Sequence, residues 1–316
     1  MTLGAIRRAV AVVALLQGSV LPATAQQSVA KRVAITIDDL PVVSRNFQTS
    51  AAHDRITRQL VGALGAHRIP AIGFVNEGKM YRDGQVDSAD VGLLRQWTRA
   101  GLELGNHGYA HLDLHLAPVD EYLSDIVRGD AITRNVLAAA GKQPRYFRHP
   151  FLHTGRSLGD RARVDSVLAN RGYRVAPVTI DNSDYVFAAA YDAALGRRDS
   201  VLAAKIGAEY VEYMSRVFAY YEGQAKAIVG RDIPQVLLIH SSLLNADWFD
   251  RLATMIERRG YAFVSLEEAL KDSAYRSADT YVGPAGITWL HRWALTRGMR
   301  GAVFVGEPEV PEWVTR

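Results

Sequence analysis

The sequence predicts an α/β protein, a mostly parallel sheet covered by helices and closed as a (β/α) barrel. Three observations carry this. Short β-branched runs alternate with amphipathic stretches from residue 33 onward, the pattern of repeated βα units. Right-handed crossovers leave two arrangements for such a chain, an open doubly wound sheet or a closed barrel. Polar residues gather where strands end, at Asp38, Asp39, His107, Arg148, Asp181 and His240, and a barrel collects the C-terminal ends of all its strands at one mouth.

The elements follow in order. Residues 33–37, Val-Ala-Ile-Thr-Ile, form a buried strand that stops at two aspartates. A helix spans about 51–67, with Ile56, Leu60, Ala63 and Leu64 at helical spacing. Residues 71–75 form the second strand. A helix through Val91, Leu94 and Trp97 stops at Gly101, as a C-terminal glycine should. A third strand at 102–104 runs into Gly105-Asn106-His107. One long helix after Pro118 carries Tyr122, Ile126, Ile132, Val136 and Leu137 and ends near Gly141. Further strands fall at 145–147, 173–176 and 236–239, with helices at about 160–171 and 247–259. Residues 188–230 read as a helical insertion between two barrel strands, its apolar stripe Ile206, Tyr210, Tyr213, Met214 and Val217 packed as core. Residues 272–316, with Trp289, Trp293 and Trp313, form a C-terminal extension packed on the barrel.

Composition narrows the function. The 316 residues are 48% hydrophobic and 22% charged, which excludes global disorder and a collagen-like fibre. The absence of cysteine excludes disulfides, a cysteine nucleophile, a Cys-ligated zinc and an iron–sulfur cluster. A formal charge of +4 with no basic run gives no case for nucleic acid. Residues 1–25 have the form of a secretory leader. Arg7 and Arg8 precede the apolar stretch 9–16, and Ala23-Thr24-Ala25 gives a small-x-small cleavage pattern. That apolar stretch is too short to span a bilayer, and no later stretch is long enough either. The expectation is an exported chain, periplasmic or secreted, without a transmembrane segment. The sequence leaves its oligomeric state open.

Five short segments carry chemistry. Asp38-Asp39 places two carboxylates together at a strand end, where both can turn toward one mouth and divide metal binding from proton transfer. His107 and His111 lie four apart; on a helix they would share a face and one metal. Gly108 stands where an H-E-x-x-H zinc protease needs Glu, which excludes that class. His115 continues the spacing as a bystander, because a catalytic zinc needs an open position. Arg148-His149-Pro150-Phe151, Asp181-Asn182-Ser183-Asp184-Tyr185 and Leu238-Ile239-His240 each follow a strand.

In this order the segments resemble the five motifs of the polysaccharide deacetylase family, carbohydrate esterase family 4, with its NodB homology domain. Thr36-Ile37-Asp38-Asp39 is similar to T-F-D-D and His107 to His111 is similar to H-x-x-x-H. Arg148 to Phe151 is similar to R-x-P-[FY], Asp181 to Tyr185 to D-x-x-D-W, and Leu238 to His240 to L-x-H. The resemblance implies a deformed (β/α) barrel of the NodB type over residues 26–271. It implies a divalent metal, zinc first with Co²⁺, Ni²⁺ or Mn²⁺ as substitutes, held by Asp39, His107 and His111. It implies Asp38 as base oriented by Arg148, and His240 as acid supported by Asp184. Phe151 N–H would help hold the oxyanion and Tyr185 would contact substrate. The substrate would be an N-acetylated glycan. Ile37 for an aromatic residue, Leu40 for glycine, Tyr185 for tryptophan, and the added His149 and His153 depart from the family pattern and bear on the groove. The same site would serve an O-acetyl esterase. A two-His-one-carboxylate iron oxygenase and a non-catalytic glycan-binding protein are further alternatives; the βα rhythm weighs against the first and the complete acid–base set against the second.

Overall fold

The computed structural model describes Met1 and residues 31–316; the leader expected at 1–25, with its cleavage after Ala25, falls outside the described residues apart from Met1. In chain order the elements are β1 (Lys31–Val43), α1 (Ser50–Ala66), β2 (Ile72–Val75), the hairpin strands β3 (Tyr81–Arg82) and β4 (Gln85–Val86), α2 (Ser88–Arg99), and β5 (Glu103–Asn106). Then come α3 (Val119–Arg128), α4 (Ala131–Ala139), β6 (Tyr146–Phe147), α5 (Leu158–Asn170), β7 (Arg174–Val175), α6 (Asp184–Gly196) and α7 (Ser200–Val229). The chain ends with β8 (Gln235–Ser242), α8 (Leu243–Arg258), β9 (Tyr261–Phe263), α9 (Leu266–Ala269), α10 (Trp289–Thr296) and α11 (Glu312–Thr315).

The main strands are parallel and ordered β7-β6-β5-β2-β1-β8, with β9 beside the start of β1. Val33, Ala34, Ile35 and Ile37 of β1 are all buried, as expected of a parallel strand covered on both faces. The two ends of this sheet meet. Ile180 pairs in parallel with Leu237. Thr179 and Ile180 N–H both donate to Val236 O at 3.0 Å, and Leu238 N–H returns a bond to Ile180 O at 3.1 Å. The stretch 174–180 therefore touches β6 at one end and β8 at the other, and the sheet curls into a deformed barrel. The strands of this sheet all point their C-terminal ends toward one mouth.

The helices cover this sheet for local reasons. Thr49 Oγ1 accepts from Ala52 N–H to start α1, whose His53, Ile56, Thr57, Leu60 and Leu64 form its buried face. The single helix expected after Pro118 is two, broken at Gly129 and Asp130. A Cβ on Gly129 would lie 2.4 Å from the Gly108 carbonyl carbon, so the chain turns there to pass the 108–109 backbone. The restarted helix α4 has its first donors satisfied by buried Glu77, whose carboxylate accepts from Ile132 and Thr133 N–H at 3.0 and 2.6 Å. The stretch expected at 188–230 is likewise two helices, α6 and α7, with Asp199 capping the second through Leu202 N–H at 2.9 Å. The segment after residue 270 packs α10 against α7, with Trp293 fully buried in the main core. No helix among the described residues is long and apolar enough to cross a membrane.

The fit of α7 on α8 depends on one glycine. A Cβ at Gly207 would sit 1.9 Å from Cε2 of the Trp248 indole, a ring already buried. In an open helix position Gly→Ala stabilises by about 0.5–1 kcal/mol. Here overpacking reverses the sign, and Gly207→Ala is expected to cost about 1–3 kcal/mol. Urea unfolding of the variant checks this; an unchanged or raised midpoint would contradict it.

Candidate active site

Adjacent residues of an extended strand face opposite ways, so the two aspartates need a local departure to share one mouth. β1 supplies it without ending. The strand runs on to Val43, beyond its expected stop, but its register with β2 shifts between Ile37 and Leu40, and Asp39 adopts φ 68°. This bulge turns both carboxylates into the mouth. Asp38 is buried and lies 3.4 Å from Arg148 Nη1 through Oδ2. Asp39 Oδ1 lies 3.7 Å from His107 Nε2 and 3.6 Å from His111 Nε2.

The two histidines do not sit on a helix, contrary to the spacing-based expectation. His107 follows β5 directly and His111 lies in a loop at φ 56°. The loop is held by two side chains. Asn106 Oδ1 accepts from Gly108 N–H at 2.7 Å, and Asp125 accepts from Tyr109 and Ala110 N–H at 2.9 and 2.8 Å. Gly108 has φ 78°, and a Cβ there would meet Asp125 Oδ2 at 2.4 Å. The turn thus brings the two rings to a centroid distance of 4.8 Å.

Arg148 follows β6 directly and is wholly buried. Besides Asp38 it donates to Thr36 Oγ1 at 2.9 Å, and its guanidinium lies 4.8 Å over the Phe74 ring. Its carbonyl accepts from His107 Nδ1–H at 2.8 Å, which fixes the tautomer with the Nε2 lone pair toward Asp39. Phe151 and Leu152, both at φ 57°, shape a tight turn that sets the exposed Phe151 ring 4.6 Å from the His111 ring. His240 lies on β8 beside Asp38, and the strand runs on two residues beyond it to Ser242, past its expected stop. The His240 Nδ1–H donates to Asp184 Oδ1 at 2.7 Å and its backbone N–H to Oδ2 at 2.8 Å. Tyr185, exposed, stands 6.2 Å from the His240 ring.

These groups surround a cavity of about 700 Å³ lined by Asp38, Asp39, His107, His111, Phe151, Tyr185 and His240. Arg148 and Asp184 stand behind the lining, each bonded to a residue that faces it. Burial raises the Asp38 carboxyl above its ordinary range, against the pull of Arg148 and His240. Burial pushes Asp39 the same way, but Lys79 and His107 outweigh it and hold that carboxyl well below the usual range. Burial lowers His107 and His111 to about 4, so both imidazoles are neutral at neutral pH. Burial also opposes charge on His240, yet Asp184 raises it to about 10. Asp38 and His240 are register partners on the neighbouring strands β1 and β8, so a buried carboxyl group and an imidazolium stand beside each other at the mouth.

Asp39, His107 and His111 offer ligand atoms within 4.8 Å of one another, and Asp39 Oδ1 is buried without a hydrogen-bond partner. Two neutral imidazoles and one carboxylate fit a divalent ion with positions left open. Lys79 was not signalled by any motif. It donates to Asp39 O at 2.8 Å and lies 3.7 Å from Oδ1. Asn245 was missed too; it donates from Nδ2 to Asp184 Oδ2 and to His240 O, both at 2.8 Å. His115 and His153 stack on each other at 3.9 Å, and His153 donates to Asp113 at 2.7 Å. They join the 113–115 loop to the 150–153 turn and do not line the cavity.

Residues 25–175 match the family model described as polysaccharide deacetylase. No curated protein sequence matches the chain. Among solved structures, the family 4 carbohydrate esterase from Streptomyces lividans in complex with acetate is 21% identical over 76% of this chain and 95% of that one, with a TM-score of 0.47. Peptidoglycan deacetylase PdaC from Bacillus subtilis is 20% identical over 77% of this chain and 92% of that one, also at 0.47. BA3943, a CE4 family pseudoenzyme from Bacillus anthracis, is 17% identical over 76% and 66%, at 0.47.

Proposed function

The chain belongs to the polysaccharide deacetylase family through residues 25–175, and from that premise we propose that it is an exported, metal-dependent hydrolase that removes N-acetyl groups from a glycan. The observation that carries this is the two supported groups beside one candidate ligand set: Asp38 with Arg148, and His240 with Asp184. An amide resists water because its carbonyl is a poor electrophile and its amine a poor leaving group. Asp39, His107 and His111 would hold a divalent ion, zinc first, which would supply Lewis acidity to the acyl oxygen and to the attacking water. Asp38 accepts the proton of that water, and Arg148, 3.4 Å away, aims it and opposes the rise that burial imposes on its carboxyl. The Phe151 N–H helps hold the charge that develops on the acyl oxygen. His240, charged beforehand by Asp184, protonates the nitrogen as it leaves. The same ligand set suits iron in an oxygenase, but that chemistry has no use for an acid and a base held beside the ligands.

Acetate release across a panel of N- and O-acetylated glycans, with mass spectrometry of the products, tests the assignment. Release from O-acetyl esters alone would reassign it to an esterase, and oxygen consumption with iron bound would reassign it to an oxygenase. Elemental analysis tests the ligands. One divalent ion per chain is expected in chelator-free protein, and its loss in a His107→Ala, His111→Ala double variant. Full stoichiometry in that variant would remove these residues from the metal site.

A further inference from the structure

The family match stops at residue 175, and the chain beyond it meets the site in two ways. Tyr213 of α7 lines the cavity itself. The segment 279–292 instead packs against the turn at 150–154, whose Phe151 N–H is proposed to hold the acyl oxygen.

That turn is strained. Phe151 and Leu152 both sit at φ 57°, in the left-handed region that costs energy for any residue with a side chain. Its own bonds are two, Leu152 N–H to His149 O and His153 N–H to Pro150 O, both at 3.1 Å. Backbone of this kind persists where its surroundings over-determine it, and the C-terminal segment supplies four holds in succession. At Phe151, a Cβ on Gly286 would stand 1.7 Å from the carbonyl oxygen, so the two backbones touch. At Leu152, the Trp289 ring packs on the cluster of Leu152, Val178 and Leu238, while Trp289 N–H donates to Val178 O at 2.7 Å. At His153, the partner is the stacked His115 ring, whose Nδ1–H donates to Pro284 O at 3.3 Å. At Thr154, buried Arg292 donates to Oγ1 at 2.7 Å and is itself held by Asp279 at 2.8 Å.

We propose, resting on the deacetylase reading, that the 279–292 segment fixes the turn that stabilises the oxyanion, with Gly286 and Arg292 as its positioning residues. A donor to developing charge is effective when it already stands where that charge will form. Two successive left-handed residues have lower-energy conformations to relax into, and relaxation would swing the Phe151 N–H off that place. The segment removes the freedom to relax. Neither Gly286 nor Arg292 lines the cavity, so both act through the turn.

The test is Gly286→Ala in the metal-loaded enzyme, assayed well below its melting temperature on an N-acetylglucosamine oligomer and on an activated acetate ester. The added methyl pushes on Phe151 O. kcat is expected to fall about 10–10²-fold on both substrates, because both form an oxyanion and a misplacement near 1 Å costs on this scale. KM and metal content should stay near those of wild type. Thr154→Val, which removes the acceptor of Arg292, should lower kcat in the same way, and Thr154→Ser, which keeps the hydroxyl, should retain it. This second pair carries the test should Gly286→Ala fail to fold. Wild-type kcat in folded Gly286→Ala or Thr154→Val would overturn the proposal, and so would a loss accompanied by lost metal or one shared equally by Thr154→Ser. Failure of the wild-type enzyme on every N-acetylated glycan would instead overturn the deacetylase reading, with the ester still reporting on the turn.

Discussion

Asp38→Asn is expected to keep its metal and to lose N-acetyl hydrolysis by about 10²–10⁴-fold, the usual scale for removing a general base. The carboxamide has the shape of the carboxylate and can still accept from Arg148, but it cannot take a proton from the attacking water. Metal retention follows from the proposed division of labour at the bulge, in which the ligand carboxylate is Asp39, 3.7 and 3.6 Å from the two imidazoles. Arg148 keeps its second bond, to Thr36 Oγ1, so the barrel floor has a reason to persist. Elemental analysis and a melting curve should accompany the rate. A variant near the wild-type rate at neutral pH would show that Asp38 is not the base.

His240→Ala separates the acid from the base. An amine leaving a tetrahedral centre is strongly basic and needs a proton as it departs, whereas a nitrophenolate leaves as a stable anion. The variant should lose about 10²-fold or more on an N-acetyl substrate and much less on an activated acetate ester, while Asp38→Asn should damage both. A histidine that merely closed a buried strand would give equal losses and a lower melting temperature. The side chain is 23% exposed, which already places it at the cavity rather than in the core. Measuring both substrates and the melting point decides between the two roles.

Much of this site was legible in the sequence because strand ends are cheap to recognise. A β-branched run that stops at a polar residue marks a barrel mouth, and five such stops in order marked one mouth. What the spacing could not supply was backbone conformation. His107 and His111 look like a helical pair when counted, but Gly108 at φ 78° and the Asp125 anchor make them meet across a loop instead. The stop after Ile37 was misread for the same reason, since a bulge inside a continuing strand and a strand end both release an aspartate. The long helix after Pro118 concealed its break because Gly129 is required by a contact with residue 108, far away in sequence. Lys79 and Asn245 belong to no motif and act through tertiary geometry alone. Tyr213 was read only as part of a core stripe, and its presence at the cavity depends on how α7 lies across α6, which periodicity does not encode.

The seam at Ile180 and Leu237 also governs how this chain meets other chains. An open parallel sheet would leave the outer rows of amide and carbonyl groups on β7 and β8 free, and such rows template pairing with a neighbour. Here the 179–180 segment bonds to β8 and occupies one of those rows, while the chain running directly on from β7 closes the circle. The two-residue strands β6 and β7 are too short to offer a long flat edge in any case. A protein built this way protects itself against edge-to-edge association through the same closure that gathers its proposed catalytic groups at one mouth.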